Sequence, residues 1–168
     1  MEFENFTQLL STIFSGYNLA ILGAFLATAL GGMGSAKGVG MVGQAASGLL
    51  SEDPTQFGKM LILQALPGTQ GIYGMITAFF IMFKIGTLGT PVDLTLAQGG
   101  FLLVAAMPIA IVGYFSAIHQ AKVAVTGVSL IAKQKNEIGK AITSAALVET
   151  YAIFALLVSL LMIAFMKV

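Results

Sequence analysis

Four long apolar stretches dominate this sequence, and each has at least the roughly 20 residues that a helix needs to cross a bilayer. They run over Tyr17–Val42, Gly58–Ile85, Leu96–Ala132 and Ile138–Met166. The chain is 57% hydrophobic and only 9% charged, which is more apolar surface than a soluble domain of 168 residues can bury. The pattern therefore predicts an all-α membrane protein with four transmembrane helices.

Short polar segments separate the four stretches and predict how the helices connect. Ser51–Gln56 separates the first two, Gly86–Asp93 the middle pair, and Lys133–Glu137 the last two. Because the first and third breaks are short, we expect two tandem antiparallel hairpins. The predicted divisions are an N-terminal extension (1–16), a first hairpin (17–86), a connecting loop (87–95) and a second hairpin (96–168).

The chain contains no arginine, and its lysines are distributed unevenly. Six of them lie in or near the first and third breaks, namely Lys37, Lys59, Lys122, Lys133, Lys135 and Lys140. Only Lys84 and Lys167 lie toward the other side. Since cytoplasmic loops carry excess positive charge, we predict a multi-pass protein of the cell membrane with both hairpin loops cytoplasmic and both termini outside. The first sixteen residues carry Glu2 and Glu4 but no lysine, so the first stretch is expected to be a permanent span rather than a signal peptide.

The two predicted hairpins look like copies of one another. Ala36-Lys37 matches Ala121-Lys122, Gly58-Lys59 matches Gly139-Lys140, and Leu66-x-x-Thr69 matches Leu147-x-x-Thr150, with four extra residues in the first loop. Under this alignment Gly68 takes the place of Glu149, which predicts one ion site per four helices. Chance similarity between apolar helices is the alternative.

Glu149 is a lone carboxylate in the middle of the last apolar stretch. Placing an acid at mid-membrane depth costs about 2.5–3.5 kcal/mol on insertion scales, so such a residue is by default an ion or proton site. Gln120 and Glu149 lie about equally far from the turn near position 135, and the repeat alignment places Thr69 and Gln70 beside Glu149. These hard oxygen donors suit a desolvated alkali cation, whereas a proton site needs only the carboxyl and one partner.

The second stretch places polar groups on one helical face, because Leu66, Thr69, Gln70 and Tyr73 follow the spacing i, i+3, i+4 and i+7. Pro67 cannot donate a hydrogen bond to Leu63, so a backbone carbonyl near this point is expected to be available for binding. The alternative is that these polar groups only hold helices together.

Other polar residues near the predicted site are not expected to bind the ion. Tyr73 and Thr150 are predicted to orient the carboxylate without binding the ion themselves. His119 is the only histidine and the chain has no cysteine, so a transition-metal site is not expected, and the imidazole is predicted to pack or lie at an interface. Lys122 is predicted to lie at the membrane edge and extend its amine to the interface.

Small residues repeat every four positions along the first stretch. One row comprises Ala20, Ala24, Thr28, Gly32, Ala36 and Gly40, and a second comprises Ala27, Gly31 and Ser35, with Gly43 further on. Such rows let helices approach backbone to backbone, which favours the inner wall of a ring of identical subunits. A tightly packed monomeric bundle is the alternative.

Composition excludes several functions. A net charge of +1 leaves no basic surface for nucleic acid. The segment Gly34–Gly40 lies inside a predicted membrane helix and lacks the Gly-Lys-Ser/Thr end of a phosphate-binding loop, so no catalytic site for nucleotide hydrolysis is expected in this chain, and no organic cofactor.

Three segments resemble the proteolipid, or K subunit, of bacterial V-type rotary ATPases: Gly34-Ser35-Ala36-Lys37-Gly38-Val39-Gly40, Leu66-Pro67-Gly68-Thr69-Gln70-Gly71-Ile72-Tyr73 and Val148-Glu149-Thr150-Tyr151-Ala152. The resemblance covers nearly the whole chain from about Tyr17. It implies a protein of two fused hairpins, assembled with identical subunits into a rotor ring in the lipid bilayer.

In the sodium-pumping branch of that family, the resemblance implies that Na⁺ is held by the Leu66 carbonyl and by Thr69, Gln70, Gln120 and Glu149, with Tyr73 hydrogen-bonded to the glutamate. It further implies a stator subunit that supplies a cation opposite Glu149, and central-stalk subunits. The alternatives are a proton-translocating ring of the same family, a four-helix proton-coupled secondary transporter, and a purely structural scaffold.

Overall fold

The structure is a computed structural model that describes residues 6–87 and 89–167, and this part of the chain is almost entirely helical. Its helices are α1 (Phe6–Ile13), α2 (Gly16–Glu52), α3 (Phe57–Ala65), α4 (Thr69–Lys84), α5 (Leu96–Lys133) and α6 (Ile138–Phe165). Single 3₁₀ turns, Pro54–Gln56 and Leu66–Gly68, join α2 to α3 and α3 to α4. Within the described residues, four continuous segments are long and apolar enough to cross a membrane, namely Gly16–Glu52, Pro54–Lys84, Leu96–Lys133 and Ile138–Phe165.

The predicted all-α fold of four spans in two tandem hairpins is therefore confirmed. Helix α5 packs against both α2 and α6, and α2 packs against α4. The division into an N-terminal extension, two hairpins and a connecting loop stays a prediction. Glu2 and Glu4 lie outside the described residues, as do position 88 of the connecting loop and position 168.

Helix α2 extends ten residues beyond its apolar stretch, from Val42 to Glu52, and ends within the polar break Ser51–Gln56. Nothing before Asp53 interrupts helical hydrogen bonding, and loss of hydropathy alone does not end a helix. Asp53 lies outside the helical region (φ −137°, ψ 87°), and Pro54 after it disfavours helical geometry in the residue before it. The 37 residues of α2 span about 55 Å, well beyond the roughly 30 Å of hydrocarbon, so the helix continues outside it.

Polar contacts join the two hairpin loops at one end of the bundle. Lys135 forms an ion pair with Asp53 (Nζ to Oδ2, 2.7 Å), and Lys59 donates to the backbone carbonyl of Lys135 at 2.5 Å. At the opposite end, Lys84 donates to the Ala164 carbonyl at 3.2 Å. The two loops thus lie side by side, while their position relative to the cytoplasm stays a prediction.

The two small-residue rows of α2 face different surroundings. Ala27, Gly31 and Ser35 are buried against α4. The other row begins buried at Ala20 and Ala24 and then passes to the surface, where Thr28, Ala36 and Gly40 are exposed. A step of four residues advances about 400° around a helix, so such a row drifts by about 40° per step.

A close backbone approach between α2 and α5 lies at Gly34, midway along α2. A Cβ atom on Gly34 would lie 2.7 Å from both the Cα and the carbonyl oxygen of Tyr114. Because these are backbone atoms, the helices have to separate to accept a side chain there. Glycine at position 34 is therefore a requirement of the packing.

We expect Gly34→Ala to destabilise the detergent-solubilised protein by about 1–3 kcal/mol, the usual cost of overpacking. The measurement is thermal unfolding followed by circular dichroism. Gly48→Ala is the matched control, because a Cβ on Gly48 of the same helix meets nothing within 4 Å. Equal unfolding temperatures for the two variants would contradict this prediction.

The ion pair between Asp53 and Lys135 also makes the stability of the folded protein depend on pH. The pKa of Asp53 lies well below its ordinary value because Lys135 first, and then Thr55 and Gln56, donate hydrogen bonds to the carboxylate. Since the folded pKa is lower than the unfolded one, the stabilisation is complete above the unfolded pKa. It is lost only as the pH falls through the lower, folded value.

We therefore expect the Asp53 carboxylate to stay ionised at a pH near 3.9, where an ordinary aspartate is about half protonated. A ¹³C NMR titration of the labelled side chain measures this. Lys135→Gln should move the midpoint up toward the ordinary value, while the neighbouring Lys133→Gln should leave it unchanged. An unmoved midpoint in Lys135→Gln would show that the ion pair is not the cause.

Candidate ion-binding site

Glu149 lies in the middle of α6, and both of its carboxylate oxygens accept hydrogen bonds from other helices. Tyr73 on α4 donates its hydroxyl to Oε1 at 2.5 Å, and Gln120 on α5 donates Nε2 to Oε2 at 3.2 Å. Hydrogen bonds to a charged acceptor are roughly twice as strong as those between neutral groups. The two donors therefore offset part of the cost of placing this charge away from water.

Two fully buried glutamines continue the hydrogen-bonded cluster away from Glu149. Gln70 on α4 donates Nε2 to Gln120 Oε1 at 2.7 Å and to Ser116 Oγ at 3.3 Å. Ser116 donates its own hydroxyl to the backbone carbonyl of Val148 at 3.2 Å. Within the described part of the chain, every buried side-chain nitrogen or oxygen has a hydrogen-bond partner. The polar groups of the cluster thus satisfy one another without solvent.

The 3₁₀ turn Leu66–Gly68 brings further oxygens to the cluster. Pro67 has no amide hydrogen, so α3 does not continue into α4 with regular hydrogen bonding. In the tighter turn the Leu66 carbonyl accepts from the Thr69 N–H and, at 3.1 Å, from the Thr69 hydroxyl. The Thr69 hydroxyl also lies 3.3 Å from Gln70 Oε1. The carbonyl, the hydroxyl and the amide oxygen therefore follow one another along the start of α4.

The chemistry of the cluster is that of hard oxygen donors around one negative charge. The Leu66 carbonyl, the Thr69 hydroxyl and the amide oxygens of Gln70 and Gln120 are neutral donors, and Glu149 supplies the carboxylate. Such a donor set matches an alkali or alkaline-earth cation rather than a transition metal, which prefers imidazole or thiolate. A monovalent cation would balance the single charge of the carboxylate.

Thr150 is oriented differently from the other predicted residues. Its hydroxyl donates to the Leu147 carbonyl of its own helix at 2.8 Å, as threonines in helices commonly do. No hydrogen bond joins it to Glu149 in the described structure, so its orienting role stays a prediction without a contact in support.

His119 and Lys122 lie on α5 outside the hydrogen-bonded cluster. Both Lys122 and His119 are exposed. His119 lies beside a groove of about 370 Å³ between α5 and α6, which also touches Phe115 and Tyr151. The imidazole is therefore at the surface of the subunit, next to the buried cluster and outside it.

Ser116 is the residue of this cluster that the sequence patterns did not reveal. It lies four residues before Gln120 and so on the same face of α5, a spacing that was available as a signal. A single serine in an apolar helix is usually satisfied by its own backbone, and only the structure shows that this one contacts Gln70 and Val148.

A family model for the C subunit of ATP synthase matches this chain twice, over residues 22–81 and 103–162. The chain therefore belongs to this ATP synthase family, whose members form membrane rotor rings. The second match begins 81 residues after the first, which is the separation of Gly58 from Gly139 and of Leu66 from Leu147. The predicted internal repeat is thereby confirmed.

Two individual relatives are K subunits of rotary ATPases, which confirms the resemblance seen in the sequence. The chain is 46% identical over 148 residues to the V-type sodium ATPase subunit K of Enterococcus hirae, covering 88% of this chain and 92% of that protein. It is 35% identical over 145 residues to the A-type ATP synthase subunit K of Methanocaldococcus jannaschii, covering 86% of this chain and 61% of the archaeal protein.

We expect Gln120→Leu to destabilise the protein by about 1–3 kcal/mol, because it leaves a Glu149 oxygen without its donor and removes an acceptor from Gln70. Thermal unfolding at neutral pH is the measurement. Gln134→Leu, at an exposed position of the loop after α5, is the control and should change stability little. If Gln120→Leu is as stable as the control, the cluster does not hold the three helices together.

Proposed function

We propose that this chain is the ion-carrying subunit of the rotor ring in a V-type ATPase membrane sector, and that each subunit binds one Na⁺ at Glu149. The observation that carries the proposal is the single carboxylate in a membrane span, hydrogen-bonded to Tyr73 and Gln120 and continuous with the oxygens of Gln70 and Thr69. The sodium ATPase subunit from Enterococcus hirae supports Na⁺ as the ion.

In this proposal the neutral oxygens replace the hydration shell of the ion, and the carboxylate of Glu149 balances its positive charge. The ligands would be the Leu66 carbonyl with Thr69, Gln70, Gln120 and Glu149. Tyr73 would hold one carboxylate oxygen in place while the other binds. A single ion leaves the site neutral, and a neutral site crosses the hydrocarbon at far lower cost than a bare carboxylate.

Transport would then follow from rotation of the ring. Each subunit would load its ion at one side, carry it neutralised through the lipid, and release it where a stator cation pairs with Glu149. That cation would come from another subunit, since this chain has no arginine. Moving one charge against 100 mV requires about 2.3 kcal/mol, which ATP hydrolysis in other subunits would supply through a central stalk. In this arrangement the lysine-rich hairpin loops face the cytoplasm and the stalk.

The other functions have less support. A proton-translocating ring needs only the carboxyl group and one hydrogen-bond partner. The oxygens of Leu66, Thr69 and Gln70 would then have no role in binding the transported ion. Membership of a rotor-ring family argues against a secondary transporter and against a purely structural scaffold.

The test is labelling of Glu149 by a hydrophobic carbodiimide, which attacks protonated carboxyl groups in apolar sites. In membranes held at fixed pH, we expect Na⁺ to protect Glu149 saturably and K⁺ at the same ionic strength to give no protection. Glu149→Gln should abolish labelling in both salts. Glu137→Gln, which changes an acid at the loop that is paired with Lys140, should leave labelling and protection unchanged.

Labelling that responds to pH and to no cation would overturn the sodium assignment and favour the proton ring. Sodium uptake into liposomes by the purified chain, without any other ATPase subunit, would instead favour the secondary transporter.

A further inference from the structure

The orientation of a buried glutamine amide decides whether it attracts or repels a cation. The amide group has an oxygen, which accepts, and an NH₂ group of similar size, which only donates. Gln70 is fully buried and lies between Ser116, Gln120 and Thr69. Only a Gln70 whose oxygen faces the Thr69 side contributes to a cation site there.

We propose that Ser116 is a positioning residue that fixes the orientation of the Gln70 amide and thereby sets the sodium affinity of the site. The inference rests on the function proposed above. It concerns a residue outside the proposed ligand set of the ion, which acts through Gln70.

The argument starts at the backbone carbonyl of Val148, which can only accept a hydrogen bond. Ser116 has one hydroxyl hydrogen and donates it to this carbonyl at 3.2 Å. The Ser116 oxygen is then left with lone pairs alone and has to accept from its other neighbour. The end of Gln70 that faces Ser116, 3.3 Å away, is therefore the NH₂ group.

This assignment fixes the rest of the cluster. With its NH₂ group on Ser116 Oγ and Gln120 Oε1, Gln70 turns Oε1 toward the Thr69 hydroxyl, 3.3 Å away. Gln120, whose oxygen accepts from Gln70, turns its NH₂ group toward Glu149. If the Gln70 amide group rotated by 180°, its oxygen would face Ser116 Oγ and Gln120 Oε1. Ser116 could then donate to Gln70 only by breaking its hydrogen bond to the Val148 carbonyl.

Glu149 alone does not maintain this orientation once an ion is bound. An ionised carboxylate demands a donor from Gln120, but a carboxylate neutralised by a cation no longer does. Gln70 and Gln120 would then be free to rotate together, because each would still offer the other a complementary group. The hydrogen bond from Ser116 to Val148 involves no proposed ion ligand, so it remains the fixed reference for the Gln70 amide.

The experiment measures the Na⁺ concentration that half-protects Glu149 from carbodiimide labelling in membranes containing the full-length chain. We expect Ser116→Ala to raise this concentration about tenfold, equivalent to about 1.4 kcal/mol. Ser159→Ala is the matched control. Ser159 is also buried, and its hydroxyl also joins α5 to α6, where it accepts from the Ile109 N–H at 3.2 Å. We expect this control to change the half-protecting concentration by less than about twofold.

A second comparison separates positioning from a general loss of packing. In a Gln70→Ala background, where no amide remains to be oriented, adding Ser116→Ala should change the half-protecting concentration by less than about twofold. Ser116→Thr, which keeps the hydroxyl, should restore much of the affinity in the background that retains Gln70.

Three outcomes overturn the inference. An unchanged half-protecting concentration in Ser116→Ala, with saturable protection in the natural chain, overturns it while leaving the sodium proposal intact. An equal loss in the presence and absence of Gln70 shows that Ser116 acts on packing and not through the amide. Absence of any sodium protection in the natural chain overturns the sodium proposal and this inference together.

Discussion

A carboxylate inside a membrane span has no water to hydrate it, and the position of every helix around Glu149 follows from that constraint. Lipid offers no hydrogen-bond donor, so the donors have to come from neighbouring helices. Tyr73 comes from α4 and Gln120 from α5, and both bonds require these helices to lie against α6 at one depth. The cluster therefore fixes the register of three helices at the level where an ion would cross.

Close packing of α2 makes this arrangement possible, although α2 contributes no group to Glu149. A Cβ on Gly31 would lie 2.8 Å from the backbone oxygen of Gln70, so a larger residue would push α4 outward at the level of the site. Ser35, one turn further on, accepts a hydrogen bond from the Gly71 N–H at 2.8 Å. Association of membrane helices depends on such contacts because apolar side chains gain little by leaving lipid for protein. The glycines of α2 thus help to place the helices that form the candidate ion site.

The sequence predicts the parts of this fold that depend on hydropathy and periodicity. The starts of α5 at Leu96 and α6 at Ile138 coincide with the apolar stretches, because each follows a polar segment where hydropathy changes abruptly. The apolar stretch ends ten residues before α2 does, since a helix that leaves the membrane continues until a residue such as Pro54 stops it, and α2 ends at Glu52 within the polar break Ser51–Gln56.

Within the candidate site, the sequence predicts the glutamines and the carboxylate better than it predicts the hydroxyl groups. The glutamines and Glu149 stand out because a long polar side chain in hydrocarbon needs a reason. Hydroxyl groups do not stand out, because Ser and Thr satisfy themselves on their own helix at little cost. Sequence spacing therefore suggests Thr150, which bonds Leu147, and passes over Ser116, which bonds across to α6. Whether a hydroxyl bonds its own helix or a neighbouring one depends on the side-chain rotamer, which sequence spacing does not specify.

The internal repeat explains why the four-helix unit holds a single carboxylate at the level of the candidate site. The first hairpin supplies Thr69, Gln70 and Tyr73 from α4, and the second supplies Gln120 and Glu149. A second carboxylate at position 68, the counterpart of Glu149, would need donors of its own. The NH₂ group of Gln70 and the hydroxyl of Tyr73 are already engaged in the existing cluster. The duplicated hairpin thus keeps the charge in one copy only, while both copies donate hydrogen bonds that make this charge tolerable in the membrane, Tyr73 from the first and Gln120 from the second.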